Sequence, residues 1–107
     1  MIYETLQKTG LPVAYSHFRK PPKLPYIVYI GNGQAQFHAD TEIYEKSNLY
    51  QVELYYTKKN EDVEELIERT LMADDFFYDK TNDNYIQDQD VFVIYYDVYK
   101  KGYYNHG

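Results

Sequence analysis

The chain has 107 residues, a formal net charge of −6 and no cysteine, which bounds it to one domain with a single modest core and excludes disulfides and thiolate metal sites. Eleven basic against seventeen acidic residues argue against a sheath around nucleic acid, because phosphate binding depends on clustered Lys and Arg. No apolar run approaches a membrane span and the first residues lack a secretory pattern, so a soluble chain made in a reducing compartment is expected.

Fifteen tyrosines with no tryptophan are the oddity of the composition. A tyrosine joins a large apolar ring to a polar tip, which suits a surface buried against a partner. It is also a good strand former. Most of these tyrosines lie in segments that read as strands, so both explanations stand at this point.

In chain order, residues 2–8 read as a short helix, with Ile2 and Leu6 one turn apart and Gly10 as its stop. Residues 13–18 alternate Val13, Tyr15 and His17 against Ala14, Ser16 and Phe18, the period of a strand. Pro21, Pro22 and Pro25 interrupt regular structure, and a second strand over 26–30 runs into Gly31-Asn-Gly33. Residues 34–39 suggest another short strand. The clearest one spans 47–57, where Tyr50, Val52, Leu54 and Tyr56 share one face and Gln51, Glu53 and Tyr55 the other.

Asn60 offers an N-cap to an amphipathic helix over about 61–73, with Glu61 and Asp62 in its first turn and an apolar stripe of Val63, Leu66, Ile67, Thr70 and Leu71. Short strands at 76–78 and 85–87 flank a turn at Thr81-Asn-Asp-Asn84. The last strand, 91–99, puts Phe92, Ile94, Tyr96 and Val98 on one face and Val93, Tyr95, Asp97 and Tyr99 on the other. Residues 100–107 lose the alternation and are expected to be mobile unless a partner orders them. The order implies an α+β fold: a mostly antiparallel sheet, the main helix packed on one face, and a short N-terminal helix. One helix layer cannot cover both faces, so some rings on the second face are expected to meet another subunit.

Chemical motifs are sparse. His17, His38 and His106 lack the spacing of a metal site. The carboxylates Glu61, Asp62, Glu64, Glu65 and Glu68 read as the solvated face of the helix. Gly31-Asn-Gly33 leads into polar residues and another expected short strand, so it reads as a strand-connecting turn in preference to a phosphate loop. The segment Arg19-Lys-Pro-Pro-Lys-Leu-Pro25 has the composition of a proline-rich ligand, but two strands bracket it closely, so it reads as a stiff basic loop.

Gly10-Leu-Pro-Val-Ala-Tyr-Ser-His-Phe18, Pro25-Tyr-Ile-Val-Tyr29 and Phe37-His-Ala-Asp40 come first in a longer series. Tyr44 follows, and Tyr50-Gln-Val-Glu-Leu-Tyr55 then runs through Thr57-Lys-Lys59 into the Glu-rich helix and the strand at 91–99. In that order and length the chain resembles the tail terminator (tail-completion, head–tail joining) proteins of long-tailed bacteriophages and prophages. The resemblance spans nearly the whole chain, as a single tail-terminator-like domain over 1–107. It implies a structural virion protein and not an enzyme, with no catalytic, cofactor or metal residues.

Such a protein would form a ring, typically a hexamer, that caps the completed tail tube and stops its polymerisation. It would sit at the head–tail junction, after synthesis in the bacterial cytoplasm, between the tail tube protein and a head-completion or connector protein. DNA would pass through the lumen without specific binding, and six copies of −6 would give that ring a formal charge of −36. No membrane partner is implied. A neck or head-closure adaptor of the same virion is the alternative within this class, and a small cytosolic binding module the alternative outside it. The candidate interface residues are the basic loop residues Arg19, Lys20 and Lys23 and the outward tyrosines Tyr55, Tyr95 and Tyr99.

Overall fold

A computed structural model describes residues 2–31, 49–57 and 61–100. The expected strand at 34–39, the Asn60 cap and the tail beyond residue 100 lie outside the described residues. The helix α1, Ile2–Gln7, turns Ile2, Thr5 and Leu6 inward. A helix this short is not stable alone; it is held because Ile2 and Leu6 enter the core. Its end tightens through Lys8 N–H to Thr5 O, Thr9 N–H to Leu6 O and Gly10 N–H to Gln7 O bonds of 3.0–3.1 Å. Gly10 then leaves at φ +80°, a conformation costly for any residue with a Cβ.

Strand β1 is shorter than its alternation suggests, covering only Val13–Tyr15. Ser16 takes φ 70° and turns the chain out of the strand, while its N–H still donates to Tyr29 O at 2.8 Å. The proline loop returns through a cis Leu24–Pro25 peptide to β2, Tyr26–Gly31. Because the loop carries the chain back along its own length, β1 and β2 pair parallel, Val13 opposite Ile27.

Strand β3, Leu49–Tyr56, runs antiparallel to β2 with Leu54 opposite Ile27. The helix α2, Glu61–Ala73, follows, then β4, Phe76–Lys80, and β5, Asn84–Ile86. A single 3₁₀ turn, Gln87–Gln89, leads through Asp90, in left-handed conformation at φ 56°, to β6, Val91–Lys100. The sheet order is β1-β2-β3-β6-β4, with β5 also on β6. Every pairing but β1–β2 is antiparallel, and the fold is α+β.

The two short strands around residues 81–83 do not pair with each other. Both lie along β6, Tyr78 opposite Val98 and Tyr85 opposite Phe92, so they form one interrupted edge. Thr81 spans the interruption. Its N–H donates to Tyr95 O at 2.9 Å, and its Oγ1 accepts from Tyr95 N–H at 3.2 Å.

Both helices contribute to the core on one side of the sheet. There Ile2 and Leu6 of α1 and Ile67 and Leu71 of α2 join Ile27, Val52, Leu54, Tyr56, Ile94, Tyr96 and Val98. The buried stripe of α2 is rotated from its expected position: Glu64, Ile67 and Leu71 are buried, while Val63 is only partly so. Asp74, just past α2, ties the helices together by accepting from Thr5 Oγ1 at 2.6 Å and from Lys8 Nζ at 2.9 Å.

Candidate protein interface

The strand period fixes which rings leave the core. On β3 and β6, residues with register partners on the helix side are followed by residues on the other side, so adjacent tyrosines have opposite environments. Tyr56 and Tyr96 are buried, whereas Tyr55 and Tyr95 are half-exposed. Cross-strand register places Tyr26 opposite Tyr55, Glu53 opposite Tyr95, Gln51 opposite Asp97 and Leu49 opposite Tyr99 on this outer face. Among the described residues neither helix contributes to it.

The outer face has internal order. Phe18 meets Tyr26 edge-on at 5.0 Å, and Tyr26 stacks on Tyr55 at 5.2 Å. The Tyr55 hydroxyl donates to Glu53 Oε1 at 2.7 Å, and Gln51 Nε2 donates to the other carboxylate oxygen at 3.4 Å. Partial burial first, then the hydrogen bond and charge of Glu53, raise the Tyr55 pKa well above the usual phenol range. The phenol therefore stays a donor, with its ring fixed to the sheet. Ring pairs of this kind add about 0.5–1.5 kcal/mol beyond their buried area.

A groove of about 210 Å³ opens between the proline loop and the corner at Gln89, with Phe18 and Pro21 on one side, Ile86 on the other, and Val28 and Tyr55 also lining it. Arg19, Lys20 and Lys23 are exposed on that loop. Phe18 and Tyr26 link the loop to Tyr55, so these expected interface residues share one end of the sheet, with Tyr95 one register step from Tyr55 along β6. Tyr99 does not join them. It lies opposite Leu49, six residues along β3 from Tyr55, or about 20 Å at strand rise, and packs on Phe77 at 5.7 Å.

Sequence reasoning passed over Phe18, Tyr26 and Phe77 as interface candidates. The first two were legible: Tyr26 alternates with core residue Ile27, and Phe18 falls out of phase once β1 ends at Tyr15. The partnership of Phe77 with Tyr99 needed the β4–β6 register.

The carboxylates of α2 correct an expectation. Glu64 and Glu68 are not a solvated face; they point between α2 and the sheet. Lys80 Nζ donates to Glu68 Oε2 at 2.7 Å and to Glu64 Oε1 at 3.3 Å. The hydroxyls of Tyr96 and Tyr78 donate to Glu68 at 2.9 and 3.2 Å. The Glu68 hydrogen bond leads the causes that raise the Lys80 pKa, and burial leads those that raise Tyr96 and Tyr78. A carboxylate held among three donors is a structural clamp between helix and sheet.

His17 is exposed, with Nδ1 3.1 Å from Ser16 Oγ; His38 and His106 lie outside the described residues. Among the described residues no three His, Cys, Asp or Glu side chains group as a metal site, and no helix is long and apolar enough to cross a membrane. No family model, curated protein or solved structure matches the chain.

Proposed function

We propose that this chain is a structural assembly protein of the tail-terminator kind, acting as a ring at the head–tail junction of a long-tailed phage. The resemblance quoted above suggests the role. The observation that carries it is the outer sheet face, where half-exposed tyrosines are held in register by Glu53 and by one another with no helix over them among the described residues. Rigid tyrosines backed by satisfied polar groups suit a protein interface, because they offer large contact area with little side-chain entropy left to lose.

In this reading the ring, a hexamer on the family pattern, matches the tail tube on one side and is unlike the tube on the other. Subunit addition stops there and the head docks instead. The acidic balance of the chain would keep DNA moving through the lumen, since like charges do not adhere. The tube protein and a head-completion protein are the partners, and no cofactor or chemistry is required.

Deleting the gene from the phage or prophage that carries it tests the role. Electron micrographs of the lysate should show filled heads beside unjoined tails of excessive length. Heads that have leaked their DNA beside tails of normal length would instead assign the protein to head closure. Intact infectious particles would remove it from the virion altogether and leave the cytosolic binding module.

A further inference from the structure

The groove beside the proline loop has an apolar base and aromatic sides. Val28, only 5% exposed, lines it from the outer face of the sheet, where the register sets it opposite Glu53. Val93, also buried, stands opposite Tyr55 on the same face. Phe18, Tyr26 and Tyr55 form a chain of rings at 5.0 and 5.2 Å along it, and Ser16, His17 and Gln89 add polar groups to the lining. A cavity of about 210 Å³ with this lining suits one large side chain, best an aromatic ring with a polar tip.

The loop beside the groove carries Arg19, Lys20 and Lys23, all exposed. Among the described residues no carboxylate pairs with any of them; the ion pairs there join Lys8 to Asp74 and Lys80 to Glu64 and Glu68. On the facing corner Asp90 is already engaged, accepting from the Tyr85 hydroxyl at 2.7 Å, and Asp88, exposed there, makes no ion pair with the loop. Three unpaired cations beside an open aromatic groove select an acidic segment with an aromatic anchor.

The chain contains such a segment. Residues 32–48, outside the described residues, join β2 to β3. All three of their carboxylates, Asp40, Glu42 and Glu45, fall in the run Asp40-Thr-Glu-Ile-Tyr-Glu45, around Tyr44. We infer that Tyr44 of one copy docks in the groove of a second copy, with Asp40, Glu42 and Glu45 facing Arg19, Lys20 and Lys23. The inference rests on the ring reading above and names the contact that joins neighbouring subunits.

Tether length selects a second copy over the same one. The segment leaves and re-enters the sheet where Gly31 pairs with Tyr50, whereas the groove lies where Tyr26 pairs with Tyr55. Tyr44 precedes Leu49 by five residues, at most ~18 Å of extended chain. Tyr55 lies six residues beyond Leu49 along β3, or about 20 Å at strand rise. To reach its own groove the segment would have to reverse at Leu49 and span the whole strand. A neighbour that turns its groove toward the Gly31–Leu49 end requires no reversal. Because groove and segment root lie at opposite ends of one sheet, the contact is head-to-tail, the kind that closes into rings when its rotation permits. It also sets cations against carboxylates between copies that otherwise repel through a net charge of −6 each.

Charge reversal and cross-linking test the assignment on the full chain. In sedimentation velocity the wild-type protein should self-associate, and Y44A should do so more weakly by about tenfold or more. R19E/K20E/K23E and D40K/E42K/E45K, each folded by circular dichroism, should be monomeric. The chain that carries all six reversals should associate again, because groove and segment then match with their signs exchanged. Since the protein has no cysteine, I43C and Q89C chains can be mixed and oxidised. Mass spectrometry should find a disulfide that joins one I43C chain to one Q89C chain.

A wild-type protein that stays monomeric overturns the inference. So does undiminished association of Y44A, or a folded sixfold variant that remains monomeric. A disulfide formed within a dilute I43C/Q89C chain, in place of one between chains, overturns it as well. None of those results bears on the gene-deletion phenotype, so the groove assignment and the virion role fail separately.

Discussion

The two faces of the central strands use the same residue types to different ends. Tyr55 and Tyr56 are neighbours in sequence, as are Tyr95 and Tyr96. On the helix side Tyr56 and Tyr96 are sealed at 3% and 0% exposure, Tyr96 hydrogen-bonded to Glu68 and Tyr56 stacked on Phe92 at 5.6 Å. On the outer side Tyr55 and Tyr95 remain half-exposed, and the Tyr55 hydroxyl is taken by Glu53 of its own strand. On the helix face Tyr96 draws on a carboxylate of a distant element for its hydroxyl, while on the outer face Tyr55 draws on its own strand. A tyrosine-rich strand is therefore half core and half partly exposed surface, and removing a side chain should cost much more stability on the helix face than on the outer one.

The largest effect should come from the helix face. Leu54→Ala removes a fully buried side chain and should cost about 2–5 kcal/mol of unfolding free energy, read as a fall in the urea midpoint. Tyr95→Ala on the outer face should cost much less.

Next in size is the clamp between α2 and the sheet. Glu68→Ala deprives the hydroxyls of Tyr96 and Tyr78 and the ammonium of Lys80 of a shared acceptor and should cost about 2 kcal/mol in the same assay. Glu65→Ala, one turn position away but exposed, should stay within about 0.5 kcal/mol of wild type.

Alkaline pH should act more strongly on the helix face. Tyr96, Tyr56 and Tyr78 are raised above 10.0, chiefly by burial, and Lys80 above 10.5, chiefly by its Glu68 hydrogen bond. A raised folded-state pKa gives stability that is complete below the ordinary value and is lost as pH climbs toward the folded one. The urea midpoint should therefore hold up to about pH 10 and fall above it. Phenolate absorbance of the buried rings should appear only as the chain unfolds; early ionisation of most tyrosines in a chain still folded would show that these rings are not held as described.

The smallest effect on the isolated chain should come from Tyr55→Phe, which removes one hydroxyl and leaves its stack on Tyr26. It should shift stability by about 1 kcal/mol or less. If the outer face contacts the tail tube, the loss should appear as reduced binding to tube protein in a pull-down.

Local pattern carried much of this molecule because its causes are local. Alternation in 49–56 and 91–100 assigns each residue to a face regardless of what later covers it. Gly10 and the prolines of 21–25 end regular structure through their own backbone geometry. The outward placement of Tyr55, Tyr95 and Tyr99 on one strand face was legible for the same reason, as was the exposure of Arg19, Lys20 and Lys23.

What tertiary structure decided depended on partners far away in sequence. Glu64 and Glu68 looked solvated because a helix wheel shows carboxylates but not the Lys80, Tyr78 and Tyr96 that meet them. The parallel β1–β2 pair and the single interrupted edge of β4 and β5 came from chain reversals that no residue pattern announces. Charge order followed the same rule. The sequence by itself determined a cationic first third and an acidic last third; only the fold brought Lys8 of the first against Asp74 of the second and set the proline loop beside the corner at Gln89. Periodicity is a property of neighbouring bonds, whereas juxtaposition is a property of the packed chain.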